Sequence, residues 1–244
     1  MVKSIIPVLT LLFSVTAIAE DNINAERPGF SSSPLTLDYR RWQVEVGYQY
    51  QRINSAQDAH TLPLLLLRYG AGERAEVQFS WAGFNEVDTG PGSFTGTTDA
   101  SVGVKWQLTD DAATTPIGVF ASLSLPVGDD EFSSDEVDPT LGLFWAHNGR
   151  INLFGTVLLS EFDEQSAISN GIGISLPVSD RCRGCGAYLE YFGTYPEDGG
   201  PQHNLNGGMT FLRSADLQFD VHLGLGLNDR APDSFVGLGA AYRF

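Results

Sequence analysis

Arg41, Glu45, Glu76, Asp99, Lys105, Glu190, Asp220, His222 and Arg243 are ionisable residues set among alternating apolar neighbours. Trp42, Val44, Val46, Tyr48 and Tyr50 share one parity, and Arg41, Gln43, Glu45, Gly47 and Gln49 share the other. Leu217, Phe219, Val221, Leu223 and Leu225 repeat the pattern against Gln218, Asp220, His222, Gly224 and Gly226, as do Val77, Phe79 and Trp81 against Glu76, Gln78 and Ser80. Successive side chains of a strand point to opposite faces, so one face is broad and apolar and the other carries acids and bases. Opposite charges facing one another across a narrow enclosure have two uses. They pair and brace its wall, or they form a constriction that selects solutes.

Asp129, Asp130, Glu131, Asp135 and Glu136 crowd one connection. Such a cluster attracts cations or divalent ions that bridge lipid phosphates, or simply keeps a loop solvated. It lacks the regular ligand spacing and central glycine of a calcium loop. Cys182 and Cys185 sit in the stretch Asp180–Gly186, where an oxidising compartment favours a small disulfide loop. A redox pair would need a helix N-terminus, and a zinc site would need two more ligands, with no histidine nearby in sequence. The histidines are His60, His147, His203 and His222, and no GxSxG elbow accompanies them. A hydrolase or acyl-transfer reading therefore has little to stand on, and neither a cofactor nor a metal is expected.

These side chains require strands to position them. Alternating stretches bounded by turn residues fall at 41–53, 59–69, 73–83, 96–108, 116–126, 138–147, 149–160, 166–177, 185–195, 202–213, 216–227 and 234–244, with register poorly defined in Leu62–Leu67 and Ile151–Leu159. Their lengths suit tilted strands of a membrane barrel, which need about 9–11 residues to cross. The expected fold is all-β, an antiparallel transmembrane β-barrel of about twelve strands over 41–244. An even count puts both termini on one side, the periplasmic one. Connections at Asn54–Asp58, Phe84–Thr95, Val127–Val137, Glu161–Gln165, Pro196–Pro201 and Asn228–Asp233 are expected to be the longer, acidic, exterior loops. The last strand ends on Val236, Leu238, Ala240, Tyr242 and Phe244 at every second position, and Tyr242 and Phe244 are the expected assembly signal.

Export fits this scheme. Lys3, the apolar run Ile5–Ile18 and the small-x-small site Ala17-Ile18-Ala19 read as a signal peptide over residues 1–19. The run is shorter than the roughly 20 residues of a spanning helix. Residues 20–40 carry Arg27-Pro28 and Pro34, which disfavour helix and central strand. They are expected either as a plug in the lumen or as a periplasmic tail. The 27 glycines and the net charge of −16 fit a β-rich chain and exclude nucleic acid as a partner.

Several segments resemble the family described as the "MetA-pathway of phenol degradation". They are Glu26–Pro34, Trp42–Tyr48, Leu67-Arg-Tyr-Gly70, Ser124–Gly128, Glu190-Tyr-Phe-Gly193, Gly199–Asn204, Asn206-Gly-Gly208 and Gly226–Gly239. Two departures stand out. Arg27-Pro28-Gly29 stands where the resemblance leads one to expect Arg-Pro-Asp, and the cysteine pair is not a family trait. The resemblance implies an outer-membrane barrel of a Gram-negative bacterium that takes up small hydrophobic or aromatic compounds, and it supplies no catalytic residues. The expected function is passive or gated passage of a small solute. Its expected partners are outer-membrane lipid, lipopolysaccharide and the barrel-assembly machinery. A closed structural or surface-interaction barrel and a lipid-modifying enzyme are the alternatives.

Overall fold

The computed structural model describes residues 22–179 and 182–244; the signal-peptide reading of residues 1–19 lies outside them. The strands in chain order are β1 (Trp42–Asn54), β2 (Gln57–Gly72), β3 (Ala75–Trp81), β4 (Phe84–Asp88), β5 (Ser93–Thr97), β6 (Ala100–Gln107) and β7 (Ile117–Leu125). They continue with β8 (Asp138–His147), β9 (Asn152–Phe162), β10 (Gln165–Ser179), β11 (Cys182–Pro196), β12 (Gln202–Ser214), β13 (Leu217–Gly226) and β14 (Ser234–Arg243). Among the described residues there is no helix. Every pairing is antiparallel, and β1 pairs both β14 and β2, so the sheet closes on itself. Closure satisfies each strand edge, which a wall in lipid requires.

The wall has twelve strand positions, although fourteen segments are hydrogen-bonded. β4 continues β3 and β5 precedes β6 in one hairpin, with the register running unbroken from Ala75↔Trp106 to Asp88↔Ser93. The stretch Phe84–Thr95, expected as a loop, is therefore mostly strand. The breaks at Ala82–Gly83 and Thr98–Asp99 lie beside Pro63 of β2, which has no N–H for the ladder. Gly83 takes φ +58, and a Cβ there would lie 2.6 Å from the Leu62 carbonyl oxygen. The β1–β2 register slips by one residue across the same level, between Gly47 and Gln49. A one-residue slip flips side chains to the other face. Leu64 and Leu66 oppose the inward Gly47 and Glu45, whereas His60 opposes the outward Tyr50. The leucine run alternates poorly because the strand changes face within it.

The outer wall is apolar: Trp42, Val77, Phe79, Val104, Trp106, Leu141, Phe219, Leu223, Leu238 and Tyr242 are all exposed. The most deeply buried side chains are instead Arg68, Lys105, Gln43, Gln107, Glu45, Glu76 and Glu190. This inversion of a soluble protein's arrangement requires lipid outside, and barrels of this kind span Gram-negative outer membranes, where the chain is placed. Ile23, near the start of the described residues, and Phe244 lie at one end of the barrel, here called the terminal end. At the opposite, loop end, two expected loops are two-residue turns. One of them uses Asp163 and Glu164 at φ 50 and 59, the left-handed geometry that matches strand twist. The connection 126–137 remains long.

Candidate functional site

Residues 22–40 form no regular element, so their backbone N–H groups need acceptors wherever they are buried. The barrel wall supplies them from all around its circumference. Starting at the terminal end, Ile23 N–H donates to the Ala215 carbonyl in the β12–β13 turn, 2.6 Å. Glu45 on β1 accepts from the N–H groups of Glu26 and Arg27 at 3.0 Å each. Glu190 on β11 accepts from Phe30 and Ser31, both at 2.8 Å. Thr156 on β9 accepts from Ser32, Gln107 on β6 from Thr36 at 3.1 Å, and Glu76 on β3 from Leu37 at 2.7 Å. From Glu45 onward, the order of these partners follows the wall from β1 to β11, β9, β6 and β3 and on to β2, where Arg40 N–H meets the Gly70 carbonyl. The segment is thus a ring of chain laid against the inside of the barrel, within its lumen.

Small residues on the wall leave room for it. A Cβ at Gly47 would lie 2.3 Å from the Arg27 guanidinium, and one at Gly70 would lie 1.9 Å from the Asp38 carbonyl oxygen.

One side of the ring is anchored by charge. The Arg68 guanidinium meets Glu76 through two bonds, Nε–Oε1 at 3.0 Å and Nη2–Oε2 at 2.9 Å. It also reaches Glu26 at 3.1 Å and Glu45 at 3.3 Å. Lys105 pairs with Glu26, lies 3.8 Å from Glu76 and donates to the Ser33 carbonyl at 2.9 Å. Three carboxylates thus face two cations, and amide donors cover the remaining lone pairs. Gln43 donates to Glu45 at 2.8 Å and Gln78 to Glu76 at 2.5 Å. Buried charge is tolerable only when paired and hydrogen-bonded in this way.

The other side carries fewer ion pairs. Arg27 pairs with Asp220 on β13 at 3.2 Å. Next to it His222 Nδ1 lies 2.6 Å from the Pro28 carbonyl oxygen. Phe30 stacks on Phe192 of β11, with centroids 4.6 Å apart and planes 6° from parallel. Two cavities flank the ring here. One of about 330 Å³ lies on the loop side against Phe30, Phe192, Asn204 and Phe235. The other, about 280 Å³, lies against Ser33, Phe154, Tyr188 and Thr210. Pro28 and Gly29 line both, so two residues of chain separate them.

The expected lumen residues divide into three groups. Glu45, Glu76, Lys105, Glu190, Asp220 and His222 are brought together by the ring. Arg41 precedes β1, and Arg243 pairs with Asp216 at 2.8 Å, both at the terminal end. Asp99 is placed differently. It falls in the break before β6, and its carboxylate holds connection 126–137. It accepts from the N–H groups of Val127 and Gly128 at 3.0 Å, the Ser133 hydroxyl at 2.8 Å and the Ser134 N–H at 3.2 Å. Partial burial alone would raise the Asp99 carboxyl, but these hydrogen bonds outweigh it and hold the group below the usual carboxylate range.

Of the acidic loop residues, Asp129 accepts from Thr97 N–H at 2.7 Å, whereas Asp130, Glu131, Asp135 and Glu136 are exposed. No metal-binding group of three is found among the described residues. Cys182 and Cys185 are joined by a disulfide on the first turn of β11 rather than within a connection, Cα atoms 5.3 Å apart. Tyr242 and Phe244 stack on the outer wall with centroids 5.9 Å apart. Arg68, Glu26 and Arg27 had no place among the expected site residues, nor had the lumenal phenylalanines. Arg68 was marked only by its parity with Gly70, which the leucine run obscured.

Structural comparison finds the same architecture elsewhere. The COG4313 outer membrane channel from Pseudomonas putida F1 superposes with a TM-score of 0.68 at 16% identity, covering 89% of this chain and 99% of that one. The translocator domain of the autotransporter NalP from Neisseria meningitidis gives 0.56 at 11% identity, covering 86% and 91%. The KdgM porin gives 0.55 at 10% identity, covering 83% and 99%. At these identities the likeness is one of fold, and that fold includes channels and porins. No curated protein matches in sequence. Residues 25–244, from the ring to the last residue of the barrel, match the family described as "Putative MetA-pathway of phenol degradation", and the chain belongs to that family.

Proposed function

We propose that this protein is an outer-membrane channel through which a small, neutral or weakly polar solute diffuses, with residues 22–40 as a gate inside the lumen. The observation that carries this reading is the pair of cavities meeting at Pro28–Gly29. A solute in one is separated from the other by two residues whose hold on the wall is the His222–Pro28 contact and the adjoining Arg27 and Phe30 bonds. The fold shared with a channel and a porin supports the same reading. Both termini then face the periplasm, the 126–137 connection faces the exterior, and Tyr242 and Phe244 serve the barrel-assembly machinery. The wall contacts membrane lipid and, at the loop end, lipopolysaccharide.

The test is conductance and liposome swelling with the full mature chain, beside a Glu190→Ala, Asp220→Ala variant that releases the β11–β14 side of the ring. Solute flux in the wild type that rises in the variant supports the gate. Absence of flux in both would favour the closed structural barrel, which the tightly paired Arg68 cluster also fits.

A further inference from the structure

We infer that connection 126–137 is a second gate, a lid in series with the ring that closes the lumen on the loop side and opens by releasing Asp99. This rests on the channel reading for its purpose, whereas its latch rests on geometry. The lid is clipped where the wall is broken. Thr98 and Asp99 separate β5 from β6, so their neighbours have groups to spare for a loop. Asp99 takes the N–H groups of Val127, Gly128 and Ser134 and the Ser133 hydroxyl. Thr97 and Asp129 bond each other in both directions. The Thr97 N–H and hydroxyl donate to Asp129 Oδ2 at 2.7 and 3.1 Å, and the Asp129 N–H donates to the Thr97 carbonyl at 2.9 Å. Gly128 permits this approach, since a Cβ there would lie 2.7 Å from the Thr97 carbonyl oxygen.

The clip sets Phe132 against the barrel. Its ring packs on Gly96 of β5, where a Cβ would lie 2.8 Å from Phe132 Cδ2. Phe132 lines a cavity of about 470 Å³ together with Leu66, Ser80, Ser101 and Ser124 of the wall and Arg27 of the ring. The lid therefore borders one part of this chamber and the ring another, and a solute crossing the barrel through it meets the two in turn. The lid is also poised to move. Asp129, Asp130, Glu131, Asp135 and Glu136 crowd one short segment, and like charges so close repel. All but Asp129 have no bond to the wall and are exposed. The bonds that oppose this repulsion run through two carboxylates, Asp99 and Asp129, so loss of either weakens the hold on the whole connection. Lids of this kind gate passage by moving as a unit about a few fixed contacts.

The test is a reversible lock. A Cβ at Gly96 would lie 3.0 Å from the Asp129 Cβ, near the roughly 3.5–4.5 Å of a disulfide. A Gly96→Cys, Asp129→Cys variant can thus be oxidised to hold the lid shut and reduced to free it. Liposome swelling is measured with the full mature chain in both states, and the wild type under the same reductant controls for the Cys182–Cys185 bond. Oxidation should abolish swelling and reduction should restore it. Asp99→Asn replaces charge-assisted bonds by weaker ones and should raise the wild-type rate by about tenfold. Equal swelling of locked and reduced protein overturns the proposal, as does an Asp99→Asn rate equal to that of the wild type. The lid is read without flux by maleimide labelling of Ser101→Cys in the chamber, which should accelerate by a similar factor when Asp99→Asn is added. Labelling that depends on Asp99 in a barrel that passes no solute removes the channel and leaves the lid. Flux with swelling and labelling both indifferent to Asp99 removes the lid and leaves the channel.

Discussion

The two sides of the lumenal ring are built on opposite principles. On the β1–β3–β6 side the chain is pinned by Arg68 and Lys105 among Glu26, Glu45 and Glu76, where each carboxylate has several donors. On the β11–β14 side the contacts are the Arg27–Asp220 ion pair, the Glu190 carboxylate on two backbone N–H groups, an aromatic stack and a single imidazole–carbonyl bond, set around open cavities. The first side leaves unpaired charge if it opens, which is costly in a low-dielectric interior. The second has fewer ion pairs to separate, Arg27–Asp220 among them. In the proposed gate, the β11–β14 side is the one that opens and the Arg68 cluster is the hinge.

The largest expected effect is on the hinge. Arg68→Met leaves three buried glutamates facing Lys105 alone and should destabilise the folded barrel by about 3–5 kcal/mol. Asn204→Leu on the opposite side removes an oxygen that has no partner and should be nearly neutral. Urea titration of both variants in lipid checks the contrast, and equal costs would mean that the two sides do not differ.

The next effect tests which face of β13 meets lipid. Val221 is 41% exposed on the outer wall and His222 6% exposed toward the ring. Val221→Arg should cost about 2–4 kcal/mol if it lies near the bilayer midplane. His222→Gln keeps a donor for the Pro28 carbonyl and should cost less. The reverse order would place the β11–β14 side of the ring outside the barrel.

Much of this was legible in the chain. Alternation located the strands because lipid on one face and polar groups on the other impose a period of two. It failed where that premise failed. Leu64 and Leu66 face inward and Leu62 outward, because Pro63 interrupts the ladder and the face changes there, so Arg68 was lost with its neighbours. Phe192 and Phe235 are apolar yet lumenal, and a rule that sends aromatics outward cannot find them. Asp99 has inward parity by counting from Lys105, but the strand breaks just before Ala100 and the side chain turns to a loop. Glu26 and Arg27 lie in a segment with no periodicity, whose path is set by the wall's acceptors rather than by its own sequence.

A smaller effect sharpens the gate. Gly29 stands where aspartate was expected from the resemblance, and a Cβ at this position would lie 3.2 Å from Glu190 Oε2. Gly29→Asp sets a second carboxylate against one that already holds the Phe30 and Ser31 N–H groups. The β11–β14 side should loosen, and mean conductance at neutral pH should rise a few-fold. Acidification toward about pH 4, where carboxylates begin to protonate, should return it toward the wild type. Conductance unchanged at every pH would separate the gate from Pro28–Gly29.

The smallest effect lies at the mouth. Asp99 organises connection 126–137 through four donors, and its folded carboxyl titrates below the ordinary value. A depressed carboxylate contributes stability that is present above the unfolded value of about 3.9. That contribution is lost as pH falls through the lower folded value. The connection should therefore stay ordered from neutral pH to about pH 4 and loosen below it. Asp99→Asn should loosen it at all pH values and remove the acid transition, because an amide oxygen is a weaker acceptor for the same N–H groups. Proteolytic nicking between Val127 and Val137, followed against pH, reads both. Nicking of the wild type and the variant with the same pH dependence would show that Asp99 does not hold the connection. The barrel's urea midpoint should barely move in either case, since the connection lies beyond the wall and outside both sides of the ring.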